Sequence, residues 1–158
     1  MKIIPLGKGY EAIIDDDDYD KVSQFSWGVL ITKWTQYGRK NFWINKKCQT
    51  VYLHNFIVPP PEGFTNDHID RNGLNCQKSN LRFATKSQQM MNRKVPNSSG
   101  YRGVYWYKAY QKWHVMISTN YEVRSLGYYD DLIEAAKAYD KQAKREHGEF
   151  AVLNFPNE

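Results

Sequence analysis

Cysteine is nearly absent: the 158 residues hold only Cys48 and Cys76, with no Cys-x-x-Cys pair. Neither a disulfide framework nor a cysteine-built zinc site is expected of such a chain, and a reducing compartment suits it. Long apolar runs are missing too, so no segment approaches the ~20 residues that cross a bilayer as a helix. The opening Met1-Lys2-Ile3-Ile4-Pro5 has too few apolar residues for a signal peptide. The expectation is a soluble, cytoplasmic chain with no membrane partner. Internal repeats and low-complexity tracts are also lacking. What is present is a core-forming composition, 41% hydrophobic and 15% aromatic with 12 Tyr and 5 Trp, too rich for a disordered chain. The formal net charge of +5 and a pI near 9.1 favour a polyanionic partner, since Lys and Arg gain affinity by releasing counterions from phosphates. The length allows one ordinary domain or two small ones, each marginal alone.

In chain order, Lys2 to Leu6 and Glu11 to Ile14 read as strands around a Gly7-Lys8-Gly9 turn. Asp15 to Asp18 is an acidic run. It reads as charge at the start of a helical turn or two over Tyr19 to Phe25; an EF-hand would need a Gly at the sharp turn and a terminal Glu, both missing. Trp27 to Ile31 and Asn41 to Lys46 alternate around Gly38-Arg39-Lys40, which predicts an antiparallel hairpin with a basic turn. Pro59-Pro60-Pro61 stops any helix begun at His54. Lys94 to Gly100 reads as a linker, with Pro96 ending a helix and Asn97-Ser98-Ser99-Gly100 supplying flexibility. Beyond it, Gly103 to Tyr107, Lys112 to Ser118 and Glu122 to Leu126 are strand-like. Asp130 is the expected cap of a helix from Asp131 to about Glu146, with Ile133, Ala136, Tyr139 and Ala143 on one face.

The chemistry concentrates in Asp67-His68-Ile69-Asp70-Arg71-Asn72-Gly73-Leu74-Asn75, followed by Ser79-Asn80-Leu81-Arg82 and a polar run from Lys86 to Arg93. An imidazole that titrates near neutrality, beside a hard carboxylate, can bring a general base and a divalent cation to one phosphodiester. His68 is the candidate base and Asp67 the candidate ligand. Asp70 reads as a surface charge. Asn72 and Gly73 permit a tight reversal because both tolerate positive φ. Asn80 can tie this loop to the backbone through its amide and so hold His68. An isolated Asp-His pair is usually a turn dipeptide; the loop and helix at fixed distances make this one specific.

These residues, with the lead-in Tyr52-Leu53-His54-Asn55-Phe56-Ile57 and Pro59-Pro60-Pro61-Glu62-Gly63, resemble the HNH (ββα-metal) nucleases, in the branch of phage and intron-encoded homing endonucleases. The resemblance implies a strand ending at Asp67-His68, a loop, a strand near Leu81 to Ala84 and a helix from Lys86. It implies His68 as general base, Asp67 on a divalent metal (Mg²⁺, with Mn²⁺ as second choice) and Asn80 orienting the loop. The third signature position, a His or Asn on the helix nine residues beyond Asn80, falls here on Gln89. Gln keeps a carbonyl oxygen able to bind Mg²⁺ but is one methylene longer; Asn92 is the substitute if the register shifts. His54 is assigned by the resemblance to the neighbourhood of the substrate phosphate, whereas a lone His before an apolar run is more often structural.

From Ser99 to Pro156 the chain resembles the plant APETALA2/ethylene-response-factor DNA-binding domain. Gly100-Tyr101-Arg102-Gly103-Val104, Lys112-Trp113, Leu126-Gly127-Tyr128-Tyr129, Glu134 to Asp140 and Leu153-Asn154-Phe155-Pro156 carry that resemblance. It implies a three-stranded sheet in the DNA major groove backed by a helix, with Arg102, Tyr105, Tyr107, Lys112, Trp113 and Arg124 at DNA-facing positions. Met116, Ser118 and Ser125, like both tyrosines, stand where the plant domains carry charged residues or Trp, so no target sequence carries over. The expected fold class is α+β: a β-rich N-terminal segment leading into a ββα-metal motif over residues 1–94, a linker over 95–100, and a three-stranded antiparallel sheet packed on one helix over 101–158. The expected function is a homing-type, metal-dependent endonuclease on double-stranded DNA, monomeric, in a phage-infected host. The alternative is a non-catalytic DNA-binding regulator with a degenerate site. An RNA-binding protein fits the charge but neither motif.

Overall fold

The computed structural model describes residues 1–44, 46–92 and 97–157, with the side chain of Ile44 excepted. By contact the chain divides into two units, Met1–Thr85 and Lys86–Glu158. Val95 and Pro96 of the expected linker lie outside the described residues. The class is α+β, built from small antiparallel sheets and short helices. No helix among the described residues is long and apolar enough to cross a membrane.

In the first unit, β1 (Lys2–Gly7) and β2 (Tyr10–Ile14) pair with Ile4 opposite Ala12. Alternation turns Ile4, Leu6, Ala12 and Ile14 inward. A 3-10 turn (Asp16–Asp18) leads into α1 (Tyr19–Ser23), which buries Val22. Next, β3 (Gly28–Ile31), β4 (Gln36–Ile44) and β5 (Lys47–Tyr52) form a sheet in that order. The first hairpin turns at Thr32–Thr35 rather than at Gly38-Arg39-Lys40. The Thr32 hydroxyl donates to the Thr35 carbonyl at 2.6 Å and accepts from the Trp34 and Thr35 amides, closing the turn locally. Gly38 instead lies within β4, opposite Val29. The short helix α2 (Leu53–Ile57) stops before the triple proline, and β6 (Thr65–His68) pairs antiparallel with β7 (Leu81–Ala84). Ile4, Leu6, Ile14, Val22, Trp27, Leu53, Ile57 and Cys76 share one core.

The second unit begins with α3 (Lys86–Asn92). Its sheet runs β10-β9-β8, from β8 (Val104–Tyr107), β9 (Lys112–Thr119) and β10 (Glu122–Tyr129), and packs on α4 (Leu132–His147). Val104, Val115 and Ile117 meet Ala135, Ala136, Tyr139 and Ala143. The small helix residues let α4 approach the sheet closely. Asp131, not Asp130, caps the helix: its Oδ1 accepts from the Glu134 amide at 2.8 Å, while Asp130 pairs with Lys112. Ala136, Tyr139 and Ala143 are buried on the face read from the sequence, but Ile133 is exposed and Leu132 packs on the core instead. Asn97 and Ser99, expected to supply flexibility, instead bond the Tyr101 and Val104 carbonyls and brace the entry to β8.

Gly103 has φ +73, and a Cβ there would lie 2.1 Å from Cδ2 of Tyr139. Gly103→Ala is therefore expected to destabilise the second unit by about 1–3 kcal/mol through overpacking and backbone strain. Asp131→Ala should cost about 1 kcal/mol. Urea denaturation of the full chain reads both, and an unchanged midpoint for Gly103→Ala would contradict this packing.

Candidate functional site

The site grows from the loop joining β6 to β7. His68 ends β6, and its backbone carbonyl accepts from the Arg71 amide at 2.9 Å, so the chain reverses at once. Asn80, at the far end of the loop, donates through Nδ2 to Asp70 Oδ1 (2.9 Å) and to the Asn75 carbonyl (2.9 Å). Its Oδ1 accepts from the Asp70 amide (3.0 Å) and its carbonyl accepts from the Ile69 amide (2.9 Å). The two residues after His68 are thus clamped by one side chain and its own backbone. Asp70 is no simple surface charge. It also accepts from the Asn72 amide and from Asn75 Nδ2, each at 2.8 Å. Partial burial raises its pKa, but these bonds outweigh burial and hold the carboxyl below its ordinary value.

The loop is also stitched to β2, where the Ile13 amide donates to Leu74 and the Ile13 carbonyl accepts from Cys76, both at 2.8 Å. Asp15 accepts from Gln77 Nε2 and the Lys78 amide. The positive φ expected at Asn72 or Gly73 falls on Arg71 (φ 64) instead. Gly73 is required for a different reason: a Cβ there would sit 2.3 Å from the Gln36 carbonyl and 2.6 Å from Cδ1 of Tyr37.

Tyr37 brings β4 against the site, with ring centroids 5.7 Å from His54 and 5.9 Å from His68. The two imidazoles lie perpendicular, 4.9 Å apart. His54 stands on α2, held by Asn66: Asn66 Nδ2 donates to the Val58 carbonyl (2.6 Å), to Asn55 Oδ1 (3.1 Å) and to the His54 carbonyl (3.3 Å). His54 and His68 are only 7% and 6% exposed. Burial disfavours the cationic form of both. It takes His54 down to about 3, helped by the neighbouring His68. His68 is also lowered, against the pull of Asp70 and Asp67. Tyr37 is raised by burial and then by the Asp67 charge. Asp67 sits opposite Arg82 in the β6–β7 ladder, and Arg82 Nε (3.0 Å) and Nη2 (2.9 Å) both grip its Oδ2.

The structure therefore brings together Asp67, His68, Asn80 and His54 in the first unit. Tyr37, Arg82, Asn66 and Asp70 join them without having been singled out as site residues. Arg82 was within reach of sequence reasoning, because pairing the two strands puts it opposite Asp67. Tyr37 was not, since its approach depends on how β4 crosses the loop. Gln89 lies exposed on α3, in the second unit. There, Tyr105 and Tyr107 are exposed on β8. Arg102 donates through Nε to the Tyr139 hydroxyl (3.0 Å) and through Nη2 to the Met91 carbonyl (2.6 Å), tying α3 to α4. Trp113 packs on the core and edge-on to Trp106, Lys112 pairs with Asp130, and Arg124 pairs with Glu146.

No family model matches the chain. It is 28% identical over 159 residues to an uncharacterized HNH endonuclease of Acanthamoeba polyphaga mimivirus, covering 96% of this chain and 79% of that protein. It is 35% identical over 96 residues to protein 3.8 of Escherichia phage T7, covering 59% of this chain and 78% of that protein.

The buried imidazoles make stability depend on pH. Above the ordinary value of 6.5, His54 is neutral whether folded or unfolded; below it, the unfolded chain takes a proton that the folded chain refuses down to about 3. Stability is therefore lost as pH falls through this window, at about 1.4 kcal/mol per pH unit for one such group. His54→Gln should flatten the fall by that amount between pH 6 and 4 in urea titrations. An identical slope would mean that His54 titrates normally.

Proposed function

The chain belongs to the family of protein 3.8 of Escherichia phage T7, and we propose that it is a metal-dependent endonuclease of the HNH type. Its substrate is double-stranded DNA, His68 is the general base and Asp67 the metal ligand. The observation that carries the reading is the pair at the end of β6: a buried imidazole kept neutral beside a buried carboxylate oriented by Arg82. The HNH name of the mimivirus relative supports it.

His68 is uncharged at pH 7, so a ring nitrogen can take the proton of an attacking water. Tyr37 and His54 pack against the ring and limit its rotation, and Asn80 holds the backbone that follows it. Asn80 and His54 are thus positioning residues. Asp67 fits a hard divalent ion, Mg²⁺ or Mn²⁺, because such ions take oxygen donors and Arg82 fixes the plane of the carboxylate. When bound, the ion stabilises charge on the phosphate and the leaving oxygen. In the second unit the outward face of β8, with Tyr105 and Tyr107, reads the major groove, and Lys112 and Arg124 reach phosphates. Arg102 and Trp113 brace the sheet behind them. A long recognition site of the homing type follows from joining a reading module to a cutting one.

The test is incubation with supercoiled DNA carrying the native flanking locus, in Mg²⁺, Mn²⁺ or EDTA. Nicked or linear product is expected with either ion and none with EDTA. Asp67→Ala and His68→Ala should each slow cleavage by about 10²–10⁴-fold while DNA binding persists. Wild-type rates in both variants would overturn the mechanism. Tight binding without cutting under either ion would favour the second reading, a non-catalytic DNA-binding regulator, for which Gln89 in place of His or Asn is the specific support.

A further inference from the structure

We propose that His54, His68 and Cys76 form a binding site for Zn²⁺, and that filling it withdraws His68 from cleavage. The three ligand atoms lie within 4.8 Å of one another. All three residues are buried, Cys76 completely. His54 Nδ1 has no hydrogen-bond partner although the side chain is more than nine-tenths buried, and a buried imidazole nitrogen without a partner costs free energy that a metal ion would recover. Within the core, the Cys76 Sγ makes a long 3.9 Å polar contact to the Gly73 carbonyl, while its backbone amide is fixed to Ile13.

Two imidazoles and a thiolate are the donors of a borderline-soft, tetrahedral ion, whereas Mg²⁺ takes oxygens. The activating and the withdrawing ion therefore use different atoms. Zn–N bonds of about 2.0–2.1 Å and Zn–S bonds of about 2.3 Å require ligand atoms closer than about 4 Å. The side chains must close by about 1 Å on the ion, within the reach of small χ rotations. Binding is not redox: the Cys76 thiol gives its proton to solvent, one Zn–S and two Zn–N bonds form, and a water completes the fourth position. The binding half of the proposal stands on the ligands alone; the regulatory half rests on the reading of His68 as the base.

The experiment is titration of the full chain with Co²⁺, a spectroscopic stand-in for Zn²⁺, alongside Mg²⁺-driven nicking with and without added Zn²⁺. Wild type should bind one Co²⁺ with a thiolate-to-metal charge-transfer band that Zn²⁺ displaces. Cys48→Ser should keep the band. Cys76→Ala, checked for folding by circular dichroism, should lose it, bind Zn²⁺ about 100-fold or more weakly, cleave with Mg²⁺ as wild type does, and resist Zn²⁺. His54→Gln should lose the same high-affinity binding and decides the matter if Cys76→Ala does not fold. Absence of the band in wild type, or its survival in Cys76→Ala, would overturn the site. A band in a protein that fails to cut with Mg²⁺ would keep the site and refute the nuclease reading.

Discussion

The exchange of hydrogen bonds between Asn80 and Asp70 is the constraint on which the candidate site depends. One amide side chain spans the two ends of the loop, bonding the Asp70 carboxylate and amide and the Asn75 carbonyl. The Asp70 carboxylate in turn organises Asn72 and Asn75. Each bond is modest alone, but all share two residues, so they form and break together. With the loop set, β6 and β7 keep their register, His68 stays at the strand end, and Asp67 faces Arg82.

A second feature builds on the first. With the loop stitched to β2 and Gly73 pressed against Tyr37, His68 is enclosed by aromatic rings from β4 and α2. Enclosure disfavours the imidazolium and favours the neutral imidazole. The same enclosure brings Cys76 beside both imidazoles. One packing arrangement thus underlies both proposals, His68 as a base and an ion bound in competition with that role.

The second unit solves a different problem. Its sheet and α4 are brought close by Ala135, Ala136 and Ala143, with Gly103 admitting Tyr139. Asp140 accepts from the Asn154 and Phe155 amides and Asn154 bonds Arg102 on both sides of its peptide unit, locking the C-terminal segment to the start of β8. Arg102 is consumed in this lock and in the Tyr139 and Met91 bonds. The outward face of β8 is left to Tyr105 and Tyr107.

Local pattern in the sequence was enough for the α+β class, the two-strand unit around Asp67-His68, the long helix of the second unit and the triple-proline stop, because alternation, capping and proline act over a few residues. It drew attention to Asp67, His68 and Asn80, which the structure places at the two ends of one loop, His68 closing β6 and Asn80 leading into β7. It was not enough for the hairpin turn at Thr32–Thr35, where a side-chain hydroxyl outweighed a Gly-Arg-Lys signal, nor for the start of the helix, where Asp131 caps and Ile133 is exposed. Tertiary structure alone decided the company of His68. Tyr37, His54 and Cys76 come from β4, α2 and the loop, and no spacing announces a meeting between segments separated by tens of residues. It also decided that a cysteine with no sequence partner would lie against two histidines, because long-range packing, not local pattern, sets which buried groups share a cavity.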